Sequence, residues 1–200
     1  MKPAFILGLA FYVAACSDGP VELGFWMEPV SYTPARLGDA FSPQELETIE
    51  TVAREQIVVA FDGFDVIVSD NRQARYRVQV VQLLREQRFR RREANVAGQS
   101  RGMAGFGGSG AVSFEYLANG AMVFAPETAS RAEVTEALGR GIGRVAIHEF
   151  LHQLLPKVPI HDSRDSYSYE GNSPALPEGY FDDLHWGIAE PWLEKQVGRR

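Results

Sequence analysis

A long helical segment that stops at a proline constrains the fold of this chain more than any other feature. Ser130 and Glu133 form the S-x-x-E pattern of a capping box, and apolar residues then recur at helical spacing. Pro156 disfavours helix in the residue before it, so we predict a helix over residues 131–155. The chain should therefore turn away directly after this helix.

Three glycines lie inside this helical segment, at positions 139, 141 and 143. Each glycine in a helix costs about 1 kcal/mol relative to alanine. A phosphate-binding loop is excluded, because the glycines lie within a helix and no lysine follows at the P-loop spacing. We therefore predict that the helix packs closely against a sheet or another helix at these positions.

The helical segment carries an HExxH motif near its C-terminal end, formed by His148, Glu149 and His152. Residues four apart lie on the same face of a helix, so the two imidazoles can bind one zinc ion. Glu149 lies beside the first of them and can act as general base on a water at that metal. A surface helix with two incidental histidines is the alternative. We predict a zinc centre here.

A catalytic zinc ion usually takes three protein ligands, and the residues after the predicted helix offer candidates for the third. His161 is the first candidate, because it follows the helix break and can fold back onto the metal; an exposed loop histidine is the alternative. The competing oxygen ligands are Asp162, Asp165 and Glu170. Asp162 could instead accept a hydrogen bond from a ligand imidazole. We predict that His185 is a packing residue, and Glu190 is a more distant candidate ligand.

A capped helix with HEFLH, a break and then His-Asp at 161–162 resembles the metzincin clan of zinc metallopeptidases. The resemblance covers residues 40–170 in the order helix, strands, glycine-rich loop, edge strand and active-site helix. It implies an α/β (α+β) domain with a mixed, mainly parallel sheet, and Glu149 as the base. The zinc ligands that it implies are His148, His152 and His161.

The chain departs from the clan pattern HExxHxxGxxH after the second histidine. Leu155 takes the position of the glycine and Val158 that of the third histidine, so His161 comes three residues late. The segment after the motif contains no methionine, so the methionine turn of the clan lacks its methionine. By resemblance to some members, Tyr167 or Tyr169 would approach the metal or the substrate oxyanion; ordinary packing is the alternative.

The first residues of the chain predict export and a lipid anchor. Lys2 precedes a short apolar run over residues 4–15, which is too short to span a bilayer. The run ends in Val-Ala-Ala before Cys16, which resembles a bacterial lipoprotein signal with lipid on the Cys16 thiol. A plain secretory signal and an inhibitory Cys16 thiolate on the zinc are the alternatives. Cys16 is the only cysteine, so an intramolecular disulfide is excluded.

We divide the chain into a signal peptide at residues 1–15, a tether and irregular lead-in at 16–41, and one domain at 42–200. Ser42 and Glu45 predict a second capped helix at the start of this domain. The predicted strands are residues 64–68, 76–81, 111–117 and 120–124, of which the last would border a substrate cleft by analogy with metzincin-like domains.

Two further segments stand out by composition. Residues 102–110 are rich in glycine and predict a mobile loop. Residues 85–92 contain five arginines, for which a solvated face is the simplest interpretation; anionic lipid headgroups and an acidic substrate are the alternatives. A short final helix containing Trp186, Trp192 and Leu193 is predicted to pack on the core.

The resemblance implies a zinc-dependent metallopeptidase of the bacterial cell envelope, anchored to the membrane through Cys16, with a peptide or protein substrate. One alternative is an envelope lipoprotein that binds zinc or a partner without catalysis, against which the intact Glu149 argues. A zinc amidase that acts on cell-wall material is another. The net charge of −6 argues against general nucleic-acid binding.

Overall fold

A five-stranded sheet lies at the centre of the protein. The computed structural model describes residues 19–88, 92–155, 177–182 and 185–200. The strands are β1 (Val21–Met27), β2 (Val66–Ser69), β3 (Tyr76–Val81), β4 (Arg85–Arg88), β5 (Arg92–Asn95), β6 (Gly98–Met103) and β7 (Gly107–Ser113). The order across the central sheet is β2-β1-β3-β7-β6, and β4 pairs with β5 separately. All neighbours in the central sheet are parallel except β6, which is antiparallel to β7.

Helices pack against this sheet and against one another. The described helices are α1 (Pro43–Ala60), α2 (Phe114–Phe124), α3 (Arg131–Leu154), α4 (Glu178–Phe181) and α5 (Glu190–Val197). α3 contacts α1, α2 and α4 as well as β3, β6 and β7, so it is the central helix of the fold. This architecture confirms the predicted α/β class with a mainly parallel sheet. Within the described ranges, no helix is long and apolar enough to cross a bilayer.

Both predicted capping boxes are confirmed. The Ser42 hydroxyl accepts from the backbone N–H of Glu45 at the start of α1, and Ser130 and Glu133 repeat this arrangement at the start of α3. α3 ends one residue before its predicted limit, because Leu155 is extended (φ −109°, ψ 105°), as expected for a residue before proline. Local side-chain chemistry therefore sets both ends of the helix that carries HEFLH.

The glycines of α3 allow it to lie directly against α1, as predicted. A Cβ atom at Gly143 would lie 2.6 Å from the carbonyl oxygen of Ala53, and one at Gly139 would lie 2.7 Å from the Cβ of Val52. Gly141 instead faces the buried ring of Tyr180. The missing side chains are therefore a packing requirement, which compensates for the low helix propensity of glycine.

The predicted irregular lead-in over residues 16–41 is wrong for residues 21–27, which form β1 between β2 and β3. The domain therefore includes residues before position 42. Gly24 and the surrounding turn-forming residues concealed this strand. A Cβ atom at Gly24 would overlap the backbone of Asn71, so the connection from β2 to β3 crosses β1 at a position where only glycine fits.

Two predictions in the middle of the chain are also wrong. The glycine-rich loop at 102–110 belongs to an antiparallel hairpin of β6 and β7. Residues 111–117 and 120–124 are not two strands, since β7 ends at Ser113 and α2 begins at Phe114. Residues 120–124 belong to a helix, so the predicted role of these residues as a strand beside the substrate cleft is also wrong. The buried residues of α2 recur at helical spacing, and they are Phe114, Leu117, Ala118, Ala121 and Met122.

An ion pair joins the starts of α1 and α3. The Arg131 guanidinium donates to the Glu45 carboxylate, with 3.0 Å between Nη2 and Oε2. This hydrogen bond to Arg131 lowers the pKa of Glu45 to about 2. A depressed carboxyl pKa contributes stability that is complete above the unfolded value of 4.5 and is lost as pH falls through about 2.

We expect Glu45→Gln to lower the free energy of unfolding at pH 7 by about 1 kcal/mol, because glutamine keeps the capping box but not the ion pair. The difference from wild type should shrink between pH 4.5 and pH 2. Urea unfolding at several pH values measures it, with Glu47→Gln on the exposed side of α1 as the control. A difference that stays constant down to pH 2 would contradict this origin.

Candidate metal centre

α3 brings the two histidines of HEFLH together on one half-buried face. The Nε2 atoms of His148 and His152 lie 3.1 Å apart. Their rings meet edge to face, with centroids 4.7 Å apart and an interplanar angle of 89°. The two ring nitrogens therefore lie close together on one face of the helix, as the i, i+4 spacing predicted.

This separation suits two ligands of one zinc ion. With Zn–N bonds of about 2.0–2.1 Å, nitrogens 3.1 Å apart subtend an angle of about 100° at the metal. That angle is close to the tetrahedral value of about 109° that zinc adopts with four ligands. The distance between the two nitrogens is therefore compatible with one zinc ion bound by His148 and His152.

The two apolar residues between the histidines set the rotation of α3. Phe150 and Leu151 are completely buried, and Phe150 meets Phe61 of the α1–β2 connection edge to face at 6.5 Å. Because these side chains occupy the core, His148 and His152 lie on the half-buried side of the same helix. The apolar pair of the motif thus positions the polar residues.

Glu149 lies between α3 and the edge of the sheet, with only 4% of its surface exposed. A Cβ atom at Gly98 on β6 would overlap the Glu149 carboxylate, and one at Gly110 on β7 would lie 3.1 Å from the Glu149 Cβ. The Ser100 hydroxyl donates to the Glu149 backbone carbonyl at 3.3 Å. Glycines on two strands therefore create the space that the Glu149 side chain occupies.

Gln153 anchors the last turn of α3, a role that we did not predict. Its side-chain oxygen accepts from the Arg77 backbone N–H at 3.0 Å, and its amide donates to the Arg77 carbonyl at 3.1 Å. The Gly105 N–H donates to the Gln153 carbonyl at 2.6 Å. No local signal in the sequence indicates this role, because the partners of Gln153 lie far from it along the chain.

Several predicted site residues lie outside the described ranges. They are Cys16, His161, Asp162, Asp165, Tyr167, Tyr169 and Glu170. Among the described residues, no group of three or more His, Cys, Asp or Glu side chains could hold a metal ion. Those residues include two of the three predicted ligands, so the third ligand stays a prediction.

The predicted packing of His185 and of Trp192 needs correction. His185 is exposed, so its predicted packing role is wrong. Trp186 packs instead, with its ring 5.8 Å from that of Phe61 and its indole N–H donating to the Ala60 carbonyl at 2.6 Å.

Glu190, the distant candidate ligand, pairs with Arg199 at 2.5 Å. In α5, Leu193 is buried but Trp192 is largely exposed.

The described part of the centre contains two candidate metal ligands and one candidate general base. Two imidazole nitrogens converge, and a buried carboxylate follows the first imidazole directly in the chain. Contacts with β3, β6 and the β6–β7 turn hold the helix that bears them. No protein-family model, curated protein or solved structure matches this chain.

Proposed function

We propose that this protein is a zinc-dependent metallopeptidase that hydrolyses peptide bonds. The proximity of the His148 and His152 nitrogens at 3.1 Å, with the buried Glu149 next to His148 in the chain, carries the proposal. Imidazole nitrogen is a preferred ligand of zinc, and catalytic zinc sites combine such ligands with one open position. His161 is the proposed third ligand.

The residues of the chain divide the chemistry between them. His148 and His152 would hold the metal through their imidazole nitrogens, and bound zinc would supply Lewis-acid chemistry that acidifies water and polarises a carbonyl. Glu149 takes the proton from the attacking water and returns it to the leaving amine. Its confinement between α3 and β6 limits the positions that the carboxylate can adopt during both transfers.

A metzincin-like identity for the domain is part of the same proposal. Its support is the order of elements: α1 precedes two parallel strands, a glycine-rich hairpin follows, and α3 carries HEFLH. The edge strand of that hairpin, β6, lies against Glu149 through Gly98. α2, between β7 and α3, is an addition to the order that the resemblance implied.

We further propose that the protein acts in the bacterial cell envelope, held to a membrane by lipid on Cys16. The support is the short apolar run that ends in Val-Ala-Ala before this cysteine. The chain joins the central sheet at Val21, soon after Cys16, so such a lipid would hold the domain close to the bilayer.

The zinc content of purified protein tests the centre. We expect about one zinc ion per chain in wild type, and loss of this zinc in His148→Ala and in His152→Ala, since each removes one of few ligands. His185→Ala is the matched control, because His185 is exposed and outside the motif. Full zinc affinity in His148→Ala or His152→Ala would contradict the proposed centre.

His161→Ala should also lose the metal. If it keeps full zinc affinity, His161 is not the third ligand, and Asp162, Asp165 and Glu170 become the ones to test. Cleavage of a broad peptide library by the wild-type protein then tests hydrolysis. Zinc binding without cleavage of any peptide would favour a non-catalytic lipoprotein, and cleavage of cell-wall fragments alone would favour an amidase.

A further inference from the structure

The turn between β6 and β7 exposes two large apolar side chains. We call residues 103–106 the hairpin tip. Met103 is 67% exposed and Phe106 is 58% exposed. The exposed side chains of Arg75 and Arg101 lie beside them in the fold. The hairpin tip therefore combines exposed apolar and cationic side chains, which makes it a candidate interaction surface.

Backbone contacts hold the hairpin tip in place. The Arg75 guanidinium donates to the Phe106 carbonyl at 2.6 Å, and the Tyr76 hydroxyl donates to the Gly105 carbonyl at 3.1 Å. The Gly105 N–H donates to the Gln153 carbonyl at the end of α3. The exposure of the two apolar side chains therefore belongs to a well-anchored turn.

The register of the sheet places the hairpin tip at the same end of the sheet, along the strand direction, as the start of β1. β1 begins at Val21, and Leu23 pairs with Tyr76, which pairs with Gly108. Three inter-strand steps of about 4.8 Å separate β1 from β6, which is a distance of about 14 Å. The five residues from Cys16 to Val21 can span about 17 Å. Lipid on Cys16 could therefore lie beside the hairpin tip.

The arginine-rich pair of β4 and β5 is attached at the opposite end of the sheet, where β7 ends. The Leu84 N–H donates at 3.2 Å to the Ser113 hydroxyl at the end of β7, and the Val96 N–H donates to the Leu84 carbonyl. β7 runs for seven residues between the two edges, or about 20 Å. The segment that follows Cys16 therefore enters the sheet at the end that holds the hairpin tip, and not at the end that holds the base of the arginine-rich pair.

We propose that the hairpin tip inserts into an anionic membrane surface, with Met103 and Phe106 among the acyl chains and Arg75 and Arg101 at the headgroups. Apolar side chains flanked by arginine suit the boundary between headgroups and acyl chains. The inference rests on the proposed anchor at Cys16 and not on zinc. Because Gly105 contacts Gln153, insertion would hold the end of α3 close to the membrane surface.

A fluorescent label at Ala104 tests this inference in the lipidated protein. Cys16 is the only cysteine, so the Ala104→Cys variant has a single free thiol once Cys16 carries lipid, which intact mass establishes. The labelled protein is placed in phosphatidylglycerol or phosphatidylcholine vesicles that contain lipids with a nitroxide on the acyl chain. Val123→Cys, labelled at an exposed apolar position of α2 (74%), is the matched control.

We expect the nitroxide to quench the label at residue 104 in phosphatidylglycerol vesicles and to leave the label at residue 123 unaffected. Replacing Met103 and Phe106 by serine should lower the equilibrium constant for insertion of the hairpin tip into the membrane by about tenfold or more. Arg101→Gln should shift it by about fivefold, and only in the anionic vesicles. Thermal unfolding checks that these exposed substitutions leave the fold intact.

A label at residue 104 that stays unquenched in lipidated, vesicle-bound protein overturns the inference, and leaves a protein or peptide as the occupant of the tip. If the intact mass shows no lipid on Cys16, the proposed lipid anchor is refuted, but insertion of the hairpin tip is not. Co-sedimentation of the unlipidated chain with phosphatidylglycerol vesicles then decides: about tenfold weaker binding by the double serine variant supports insertion, and equal binding refutes it. Loss of zinc would not change either readout.

Discussion

Glu149→Gln is expected to lower kcat for peptide hydrolysis by about 10²- to 10⁴-fold while the protein keeps its zinc and its fold. Glutamine has nearly the same shape as glutamate and fits the space that Gly98 and Gly110 leave, but it cannot accept a proton from water. The same carboxylate serves both proton transfers in the proposed mechanism. The loss should therefore be large in kcat and small in KM.

Steady-state kinetics on a peptide that wild type cleaves, together with zinc content and thermal unfolding, measure this effect. Glu136→Gln is the matched control, because Glu136 is an exposed glutamate on the same helix. Equal rates for wild type and Glu149→Gln would refute the general-base role. Loss of zinc in the variant would instead show that Glu149 supports the metal site.

Gly143→Ala should destabilise the protein by about 2–3 kcal/mol, although helix propensity alone predicts stabilisation of about 1 kcal/mol. A Cβ atom at this position would lie 2.6 Å from the Ala53 carbonyl oxygen and 2.7 Å from the Cβ of Gln56. Neither α1 nor α3 can relieve this overlap by rotating a side chain, so the two helices must separate.

Urea unfolding of Gly143→Ala tests this sign reversal. Glu136→Gly compared with Glu136→Ala, at an exposed interior position of α3, measures the propensity term alone and should show a cost of about 1 kcal/mol for glycine. If Gly143→Ala is as stable as wild type or more stable, the close contact between α1 and α3 is wrong. Gly139→Ala should behave similarly, because its Cβ atom would approach Ile49 and Val52.

The two long helices could be predicted because their signals are local. Ser42 with Glu45, and Ser130 with Glu133, close capping boxes within four residues of sequence, and both form in the structure. Pro156 likewise acts on its immediate neighbour. The His148–His152 pair belongs to the same class, because one turn of helix determines how far apart the two side chains lie.

The glycine-rich hairpin could not be predicted in this way. Gly98, Gly108 and Gly110 lack side chains because Glu149 and Gln153 of α3 occupy that space. Composition alone does not distinguish a flexible loop from a strand whose glycines allow a helix to pack closely against it. The contacts of Gln153 with Arg77 were out of reach for the same reason, since they join distant parts of the chain.

The central position of β1 has a consequence for folding. Val21 pairs with Val66 and Leu23 with Tyr76, so β1 has no partner strand until much later residues are available. A growing chain therefore carries an unpaired strand, with Phe25 and Trp26 uncovered, until the later strands have been made. Such distant pairings slow folding and leave strand edges open to other chains. Assembly of the centre of this sheet thus depends on the segment that reaches the folding environment first.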